Sequence, residues 1–247
     1  IGDAFNNNTI IIGSFYRNDV GNQFENNVIT DGNFQNNEIG NGYNNNIIGS
    51  QFYKNDIGNG FNNNKTYADF YGNLITNGYN NNKVYSEFYE NTISDVFDNN
   101  TIGSSTNFGG YDFSRNQIGL YFQNNNITTN YNQNKLGSYV ENNTFSGDFY
   151  LNTSNDYFQN NTLLGVFAYN EIGTNFQNNN VGDGFGFGVS TSQGNRIGNY
   201  FYNNTIGEYF YNNIIADGFY FNTIVDYFQL NNIKSTLSGT DFTSQHT

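Results

Sequence analysis

The chain has 247 residues and no Cys, Pro, Met or Trp, which excludes disulfide bonds, thiolate chemistry and Cys-ligated metals. Its 8 Lys and Arg residues stand against 21 Asp and Glu residues, which gives a net charge of −13. Because phosphate groups are bound by clustered Lys and Arg, we expect neither nucleic acid nor an anionic membrane surface as a partner.

The chain begins at Ile1-Gly2, inside the first of a series of repeats. It has no signal-peptide pattern and no apolar run long enough to span a bilayer. We therefore expect no membrane insertion, and we interpret the chain as a processed piece of a longer protein or as the interior of a polymer.

A nine-residue unit repeats 24 times along the chain, and each copy is marked by one large apolar residue that we call the anchor. All anchors except Val140 are aromatic. The anchors are Phe5, Phe15, Phe24, Phe34, Tyr43, Phe52, Phe61, Phe70, Tyr79, Phe88, Phe97, Phe113, Phe122, Tyr131, Val140, Phe149, Phe158, Phe167, Phe176, Phe185, Phe201, Phe210, Phe219 and Phe228.

The unit reads N-x-I-x-s-x-F-x-x, where s is a small or polar residue. Asn, the aliphatic residue, s and the anchor recur at every second position, which is the period of a β-strand with these four side chains on one face. The two remaining residues predict a turn. No apolar residues follow helical spacing, so the sequence predicts an all-β fold.

The residue two places after the anchor shows how many units form one coil. It is Asn in 11 of the 12 odd-numbered units but in only two of the 12 even-numbered ones. The true repeat is therefore 18 residues with two strands per coil, one edge carrying Asn-Asn and the other being variable. This predicts a parallel β-solenoid of about 12 coils with two facing parallel sheets.

The Asn three places after each anchor predicts ladders of amide hydrogen bonds along the stack, as in cross-β structures. We expect a structural role and no ligand role for these residues. The predicted ladder of the odd-numbered units consists of Asn8, Asn27, Asn46, Asn64, Asn82, Asn100, Asn125, Asn143, Asn161, Asn179 and Asn204.

Two inserts interrupt the period, within residues 103–112 and 186–194. Such loops on a rigid scaffold either carry function or are simply tolerated. The pattern fades after residue 233. We therefore predict one solenoid domain over residues 1–233 and a C-terminal cap or tail over residues 234–247.

Residues suited to catalysis are scarce. The single His, His246, lies in the fading tail, so no His-based relay is expected. We interpret the acidic group formed by Glu87, Glu90, Asp95 and Asp98 as a solvated face. Without carboxylates in the turns we expect no calcium site, and no other metal or cofactor. The protein is predicted not to be an enzyme.

Residues 18 apart stack above one another, and this places tyrosines in outward columns. Stacked rings of this kind stabilise each other. Either Tyr simply suits an exposed strand, or the columns mediate lateral packing of solenoids or contact with sugars. Shorter pairs are Tyr67 with Tyr85, Tyr202 with Tyr220 and Tyr209 with Tyr227. The two columns named as candidate interaction surfaces are Tyr53, Tyr71 and Tyr89, and Tyr121, Tyr139 and Tyr157.

The spacing of N-x-I-x-s-x-F resembles the N-x-A-x-x-x-Q strand motif of curli major subunits, with Phe where curli has Gln. The texture F-x-N-N-x-I-G is also similar to Asn-rich repeats of bacteriophage tail-fibre-like proteins and bacterial surface proteins. The curli resemblance implies a secreted subunit that stacks end to end into extracellular fibres.

Three functions follow as hypotheses. The first is a non-enzymatic subunit of an extracellular fibre that binds copies of itself, because an open sheet edge invites another copy. The second is a phage fibre shaft or cell-surface adhesin that binds glycans through the tyrosine columns or the inserts. The third is an ice-binding solenoid, although the outward positions lack a regular Thr array.

Overall fold

The computed structural model describes residues 1–11, 13–103, 113–182, 184–186, 194–207, 209–225, 227–234 and 239–242. These residues form strands and turns and contain no helix, and thus none that could cross a membrane. The chain divides into two compact units, unit 1 (Ile1–Tyr121) and unit 2 (Phe122–Thr247). The two predicted inserts and most of the predicted cap lie outside the described residues, and the single domain over residues 1–233 stays a prediction.

Unit 1 contains three stacks of parallel strands. Stack A consists of Phe5–Asn6, Asp19–Val20, Phe24–Glu25, Glu38–Ile39, Tyr43–Asn44, Asp56–Asn62, Leu74–Asn80, Thr92–Ile93, Val96–Asp98 and Gln117–Ile118. Stack B consists of Thr9–Ile10, Val28–Ile29, Ile47–Ile48, Lys65–Thr66, Lys83–Val84 and Thr101–Ile102. Stack C consists of Phe15–Tyr16, Phe34–Gln35, Phe52–Tyr53, Phe70–Tyr71, Phe88–Tyr89 and Phe113–Ser114.

Unit 2 repeats this arrangement, and the strand Tyr121–Gln123 begins at the last residue of unit 1. Its stack A consists of Lys135–Leu136, Val140–Glu141, Thr153–Gln159, Glu171–Gln177, Arg196–Tyr202, Ile214–Tyr220 and Asn232–Ile233. Stack B consists of Asn126–Ile127, Thr144–Phe145, Thr162–Leu163, Asn180–Val181, Thr205–Ile206, Thr223–Ile224 and Asp241–Phe242. Stack C consists of Tyr131–Asn132, Phe149–Tyr150, Phe167–Ala168, Phe210–Tyr211 and Phe228–Gln229.

The strands of each stack pair in parallel with equivalent residues opposite one another. Phe52 pairs with Phe70, and Phe70 pairs with Phe88, each one coil further along the chain. The turns number about 12 and are spaced about 18 residues apart. The predicted parallel β-solenoid with two units per coil is therefore confirmed.

The two sides of a coil differ in a way that the repeat did not predict. On the stack A side, several coils run as one seven-residue strand, for example Asp56–Asn62. On the opposite side the strand is interrupted at the small-residue position, so it separates into stack B and stack C. The predicted second sheet is thus two short stacks joined by a bend.

The anchors form an interlocking aromatic core. On one side the rings of Tyr43 and Phe61 stack with centroids 4.8 Å apart and planes 4° apart. Rings from opposite sides meet edge to face, as Phe52 and Phe61 do at 5.7 Å and 63°. Both geometries suit the aromatic quadrupole, and each pair adds about 0.5–1.5 kcal/mol beyond the burial of its area.

Tyr43 and Tyr79 are 0% exposed anchors, and their buried hydroxyl oxygens have no hydrogen-bond partner among the described residues. A buried hydroxyl without a partner costs roughly 1–3 kcal/mol. Burial also raises the pKa of both phenols well above their ordinary value. Phe occupies the same place in most other units, so the hydroxyl has no structural role there.

We expect the double substitution Tyr43→Phe and Tyr79→Phe to stabilise the protein by about 2–6 kcal/mol, because each removed hydroxyl costs about 1–3 kcal/mol. A folded-state pKa above the unfolded value of about 10 means that folding stability falls as pH rises above 10, because only the unfolded phenols ionise. The double variant has no phenol at these two positions, so its folding stability should fall less steeply above pH 10. Urea unfolding at neutral and alkaline pH tests this, with Tyr16→Phe at an exposed tyrosine as the control. An unchanged alkaline decline in the double variant would contradict the argument.

Candidate interaction surface

The predicted Asn ladder exists and is buried. The Asn64 side-chain amide donates to Tyr43 O at 2.9 Å and to Asn82 Oδ1 at 3.1 Å. The Asn64 backbone amide donates to the same Asn82 Oδ1 at 2.9 Å. Ten of the eleven predicted members are buried, and Asn8 in the first coil is half-buried. Their side-chain amides are thus used within the stack, and the expectation that they bind no ligand stays a prediction.

A second buried ladder runs along the even-numbered units, with the same geometry. Asn73 Nδ2, for example, donates to Asn91 Oδ1 at 3.1 Å. The set of candidate residues from the sequence omitted this ladder, although the signal was present because every unit carries the Asn. Its members are Asn18, Asn37, Asn55, Asn73, Asn91 and Asn116 in unit 1, and Asn134, Asn152, Asn170, Asn195, Asn213 and Asn231 in unit 2.

A third, exposed ladder in unit 1 was not predicted. The Asn41 backbone amide donates to Asn22 Oδ1 at 3.0 Å, and the Asn59 backbone amide donates to Asn41 Oδ1 at 2.8 Å. Here the later coil donates to the earlier one, whereas in the buried ladders the earlier coil donates to the later one. The stack is therefore hydrogen-bonded by side chains in both directions along its axis.

Both edges of the coil use the same left-handed turn. The described residues two places after an anchor have φ between 52° and 62°, on the Asn-rich edge and on the variable edge alike. Leu151 and Tyr169 adopt this conformation at φ 56° and 57°, which costs roughly 1–2 kcal/mol per non-Gly residue. The variable edge therefore differs in side chains and not in backbone path.

The first candidate tyrosine column is formed as predicted. Tyr53 and Tyr71 stack at 4.7 Å with planes 3° apart, and Tyr71 and Tyr89 stack at 4.8 Å and 3°. All three lie on stack C of unit 1 and are half-buried by their neighbours. Their role in binding stays a prediction.

The second candidate column divides between the two units. Tyr121 ends unit 1, whereas Tyr139 and Tyr157 lie in unit 2 and stack at 4.9 Å and 1°. Tyr139 and Tyr157 have positive φ of 61° and 56°. The three shorter pairs also stack, Tyr67 on Tyr85 at 4.9 Å, Tyr202 on Tyr220 at 5.3 Å and Tyr209 on Tyr227 at 4.8 Å.

Carboxylates lie beside the first tyrosine column. Asp69 Oδ1 accepts a hydrogen bond from Ser86 Oγ at 2.5 Å. Burial raises the pKa of Tyr89 to about 12, and the charges on Tyr71, Asp69, Glu87 and Glu90 add to the shift. Burial, Tyr53 and Asp69 raise the pKa of Tyr71 as well. Burial and the neighbouring carboxylates thus favour the neutral form of the Tyr71 and Tyr89 phenols.

The lysines next to this surface were not singled out from the sequence. The segments KTYADFY (65–71) and KVYSEFY (83–89) repeat one outward pattern of Lys, Tyr, acid and Tyr in consecutive coils. We call the eight outward side chains the Lys–Tyr–acid grid. It comprises Lys65, Tyr67, Asp69 and Tyr71 in one coil and Lys83, Tyr85, Glu87 and Tyr89 in the next. The signal was a heptapeptide that recurs after 18 residues, which single columns do not reveal.

A metal site would need a cluster of acidic, His or Cys side chains in the part of the chain that the structure describes. No group of three or more His, Cys, Asp or Glu side chains is placed there to hold a metal ion. In the acidic group Glu90 pairs with Arg115 at 3.2 Å on the surface, and His246 lies outside the described residues. The expected absence of enzymatic activity, metal and cofactor stays a prediction.

Comparison of the chain with protein family models, with curated proteins and with solved structures finds no match. The similarity to curli repeats therefore rests on residue spacing. The architecture that the structure shows is a repeat β-solenoid of about 12 coils.

Proposed function

We propose that this chain is a structural, non-enzymatic protein that forms or extends an extracellular fibre, with solenoid stacked on solenoid along the coil axis. The observation that carries the proposal is the uniform contact between coils. Asn46 donates to Asn64, Asn64 donates to Asn82 and Asn82 donates to Asn100, with the same pair of amide atoms each time. Each coil therefore presents the same hydrogen-bond donors to the following coil that it receives from the preceding coil.

The same uniformity holds for the apolar part of the contact. Consecutive anchors such as Phe52, Phe70 and Phe88 stack at 4.9 Å and 5.1 Å within the core. A coil of another copy, placed one strand spacing away, would meet the hydrogen-bond donors and acceptors and the aromatic faces that coils meet within the chain. The spacing shared with curli subunits favours the same kind of assembly.

We expect filaments whose long axis is the direction in which the strands stack. Electron microscopy should show them, and their length should grow with protein concentration since the ladder can extend at each added copy. Fibre diffraction should give the axial reflection of about 4.8 Å that parallel strands produce. Protein that stays a monodisperse monomer at all concentrations would overturn the fibre proposal.

Glycan binding on a cell or virion surface is the second candidate function. It is favoured by the Tyr53, Tyr71 and Tyr89 column, whose coplanar rings present a regular aromatic strip beside carboxylates. If the strip binds sugars, the triple Tyr→Ala variant should lose its signal on a glycan array while its fold is unchanged. An array without any signal for the unaltered chain would count against this function.

A further inference from the structure

The exposed Asn ladder of unit 1 contains the Asn-Gly dipeptides of the chain, which lie at the same place in three consecutive coils. Asn-Gly is the dipeptide that deamidates most readily, because glycine has no side chain to hinder the attack of its own nitrogen on the preceding residue. This column is therefore a candidate site of covalent modification. The dipeptides are Asn41-Gly42, Asn59-Gly60 and Asn77-Gly78.

Deamidation requires no reactant other than water. The backbone nitrogen of the glycine loses its proton and attacks Cγ of the asparagine, so that an N–Cγ bond forms and the Cγ–Nδ2 bond breaks. Nδ2 takes up a proton and leaves as ammonia, and a five-membered succinimide ring remains. Water then opens the ring at either carbonyl, which gives an aspartate or an isoaspartate and adds one negative charge.

At Asn41 every group that takes part in this reaction is held by a hydrogen bond. Asn41 Oδ1 accepts from the Asn59 backbone amide at 2.8 Å, and Asn41 Nδ2 donates to Asn22 Oδ1 at 3.3 Å. The Gly42 backbone amide donates to Asn59 O at 2.8 Å. These bonds must break before Cγ can turn toward the Gly42 nitrogen, so the fold opposes the reaction at this residue.

The side chains of Asn59 and Asn77 are not held in this way. Both residues are exposed, and their side chains form no hydrogen bond within the described ranges of the chain. The two residues lie opposite one another in adjacent strands, so the ladder could have continued between them. Their side chains are free to turn toward the following glycine in the presence of water.

The residue that precedes the donor explains why the ladder ends at Asn59. The Asn59 backbone amide reaches Asn41 Oδ1 because Gly58 has no Cβ, since a Cβ there would lie only 2.7 Å from Asn41 Oδ1. A Cβ at Gly40 would likewise lie 2.8 Å from Asn22 Oδ1. Each hydrogen bond of this ladder thus requires the close approach of a glycine in the next coil.

The next two coils lack this glycine. Thr76 follows Ile75, which pairs with Ile57, and therefore stands where the preceding coil has Gly58. Ser94 occupies the same place one coil later, because Ile75 pairs with Ile93. The Cβ atoms of Thr76 and Ser94 occupy the space that the side-chain oxygen of the preceding coil would need.

We propose that Asn59 and Asn77 are sites of spontaneous deamidation in the folded protein, and that the close contact with Gly58 protects Asn41 from the same reaction. The proposal requires neither axial stacking nor glycan binding. It can therefore fail or succeed independently of the proposed function.

The two products of the reaction differ in how well they fit the coil. An aspartate fits, because Asp3 already accepts the Asn22 backbone amide at 2.6 Å in the same column. An isoaspartate adds one carbon to the main chain just before an anchor, and it should disturb the register in which Phe61 pairs with Tyr79. Carboxylates at both 59 and 77 would also face each other in adjacent strands, which is destabilising.

Peptide mapping after incubation at mildly alkaline pH tests the proposal. Trypsin places the three asparagines on separate peptides, 18–54, 55–65 and 66–83, and mass spectrometry measures the replacement of NH2 by OH in each. Since the hydrogen bonds at Asn41 add to its activation barrier, we expect it to react about tenfold or more slowly than Asn59 and Asn77. In urea the three sites should react at similar rates. Equal rates in the folded chain, or no reaction at Asn59 and Asn77, overturn the proposal.

Substitutions at position 76 test the role of the glycine contact. Thr76→Gly should let the Asn77 backbone amide donate to Asn59 Oδ1 and slow the reaction at Asn59 about tenfold. Thr76→Ala keeps the Cβ, so this matched control should leave the rate unchanged. Circular dichroism confirms that each variant is folded. If the two variants slow Asn59 equally, or if Thr76→Gly leaves its rate unchanged, the protection by a glycine contact is wrong.

The reciprocal substitution should remove the protection. Gly58→Thr places a Cβ against Asn41 Oδ1, and we expect the rate at Asn41 to rise to that at Asn59. An unchanged rate at Asn41 in the folded variant overturns the proposed contact. If Gly58→Thr does not fold, the comparison of Thr76→Gly with Thr76→Ala still decides the question.

Discussion

Asn82→Asp is expected to destabilise the protein by about 4 kcal/mol or more, although it only replaces the side-chain NH2 group by an oxygen atom. Asn82 Nδ2 donates to Phe61 O at 2.8 Å and to Asn100 Oδ1 at 3.2 Å. In the variant an acceptor oxygen faces these two acceptors, so two hydrogen bonds become repulsive contacts. The carboxylate charge is also buried without a counter-charge, because Asn82 is 1% exposed.

Asn81→Asp is the matched control for this prediction. Asn81 precedes Asn82 directly, is exposed, and has φ 58° in the left-handed turn. Asp tolerates this conformation, and it keeps the acceptor for Asn99 Nδ2. We expect a change within about 0.5 kcal/mol, as is usual at surface positions. Urea unfolding of the two variants measures the difference.

The effect of pH provides a second test of the same substitution. Burial should raise the folded-state pKa of the carboxyl introduced by Asn82→Asp above its unfolded value of about 4. Its stability contribution is then present below the unfolded pKa and is lost as pH rises through the folded pKa. The deficit of Asn82→Asp should therefore shrink in acid, where the protonated carboxyl can donate one of the lost hydrogen bonds. Equal deficits at acid and neutral pH, or equal effects at 81 and 82, would contradict a buried ladder.

The period of the fold could be predicted because the sequence repeats every contact. Asn at 63, 81 and 99 marks one edge of successive coils, and the structure pairs their neighbours Asn64, Asn82 and Asn100 at steps of 18 residues. Each copy confirms the others, so register and inward face are over-determined. The same redundancy identified the tyrosine column, since stacking follows once the coil length is known.

What the repeat could not predict depends on single coils or on neighbouring columns. Leu151 and Tyr169 have no preference for left-handed backbone, yet the hydrogen bonds of the adjacent coils impose φ 56° and 57° on them. The division of one side into stack B and stack C arises at small residues that resemble ordinary strand positions. The Lys–Tyr–acid grid combines residues of several columns within two coils. Comparing one position at a time over all coils does not reveal such a pattern.

The Val140–Phe145 pair shows how a departure from the repeat is compensated. Val140 lies in register between Phe122 and Phe158 and leaves a gap in the column of aromatic anchors. Phe145 stands where most other units have a smaller aliphatic residue. Its ring stacks on Phe122 at 6.1 Å and meets Tyr131 and Phe149 edge to face at 5.0 and 4.9 Å. These are the kinds of contact that an aromatic anchor at 140 would make, so we infer that the ring of Phe145 fills the gap.

The two substitutions that restore the repeat should each fail alone and succeed together. Phe145→Ile should leave a cavity and cost roughly 2–4 kcal/mol. Val140→Phe should force a second ring into an occupied space and cost roughly 1–3 kcal/mol. In the double variant the new ring at 140 replaces the lost ring at 145, so its stability should return close to that of the original chain. The coupling free energy from urea unfolding should thus be about 2 kcal/mol or more.

A second double-mutant cycle serves as the control. It tests whether removing any core ring, wherever it lies, would offset the overpacking caused by Val140→Phe. Phe201→Ile removes a ring of the same column three coils away, where it does not contact position 140. We expect its cost to add to that of Val140→Phe within about 0.5 kcal/mol, because distant sites are independent. Strong coupling in this control would mean that stability depends on the total number of core rings and not on which ring fills the gap. An absence of coupling between positions 140 and 145 would likewise contradict the local explanation. In that case the filling of one gap by Phe145 would no longer account for the exception in the repeat.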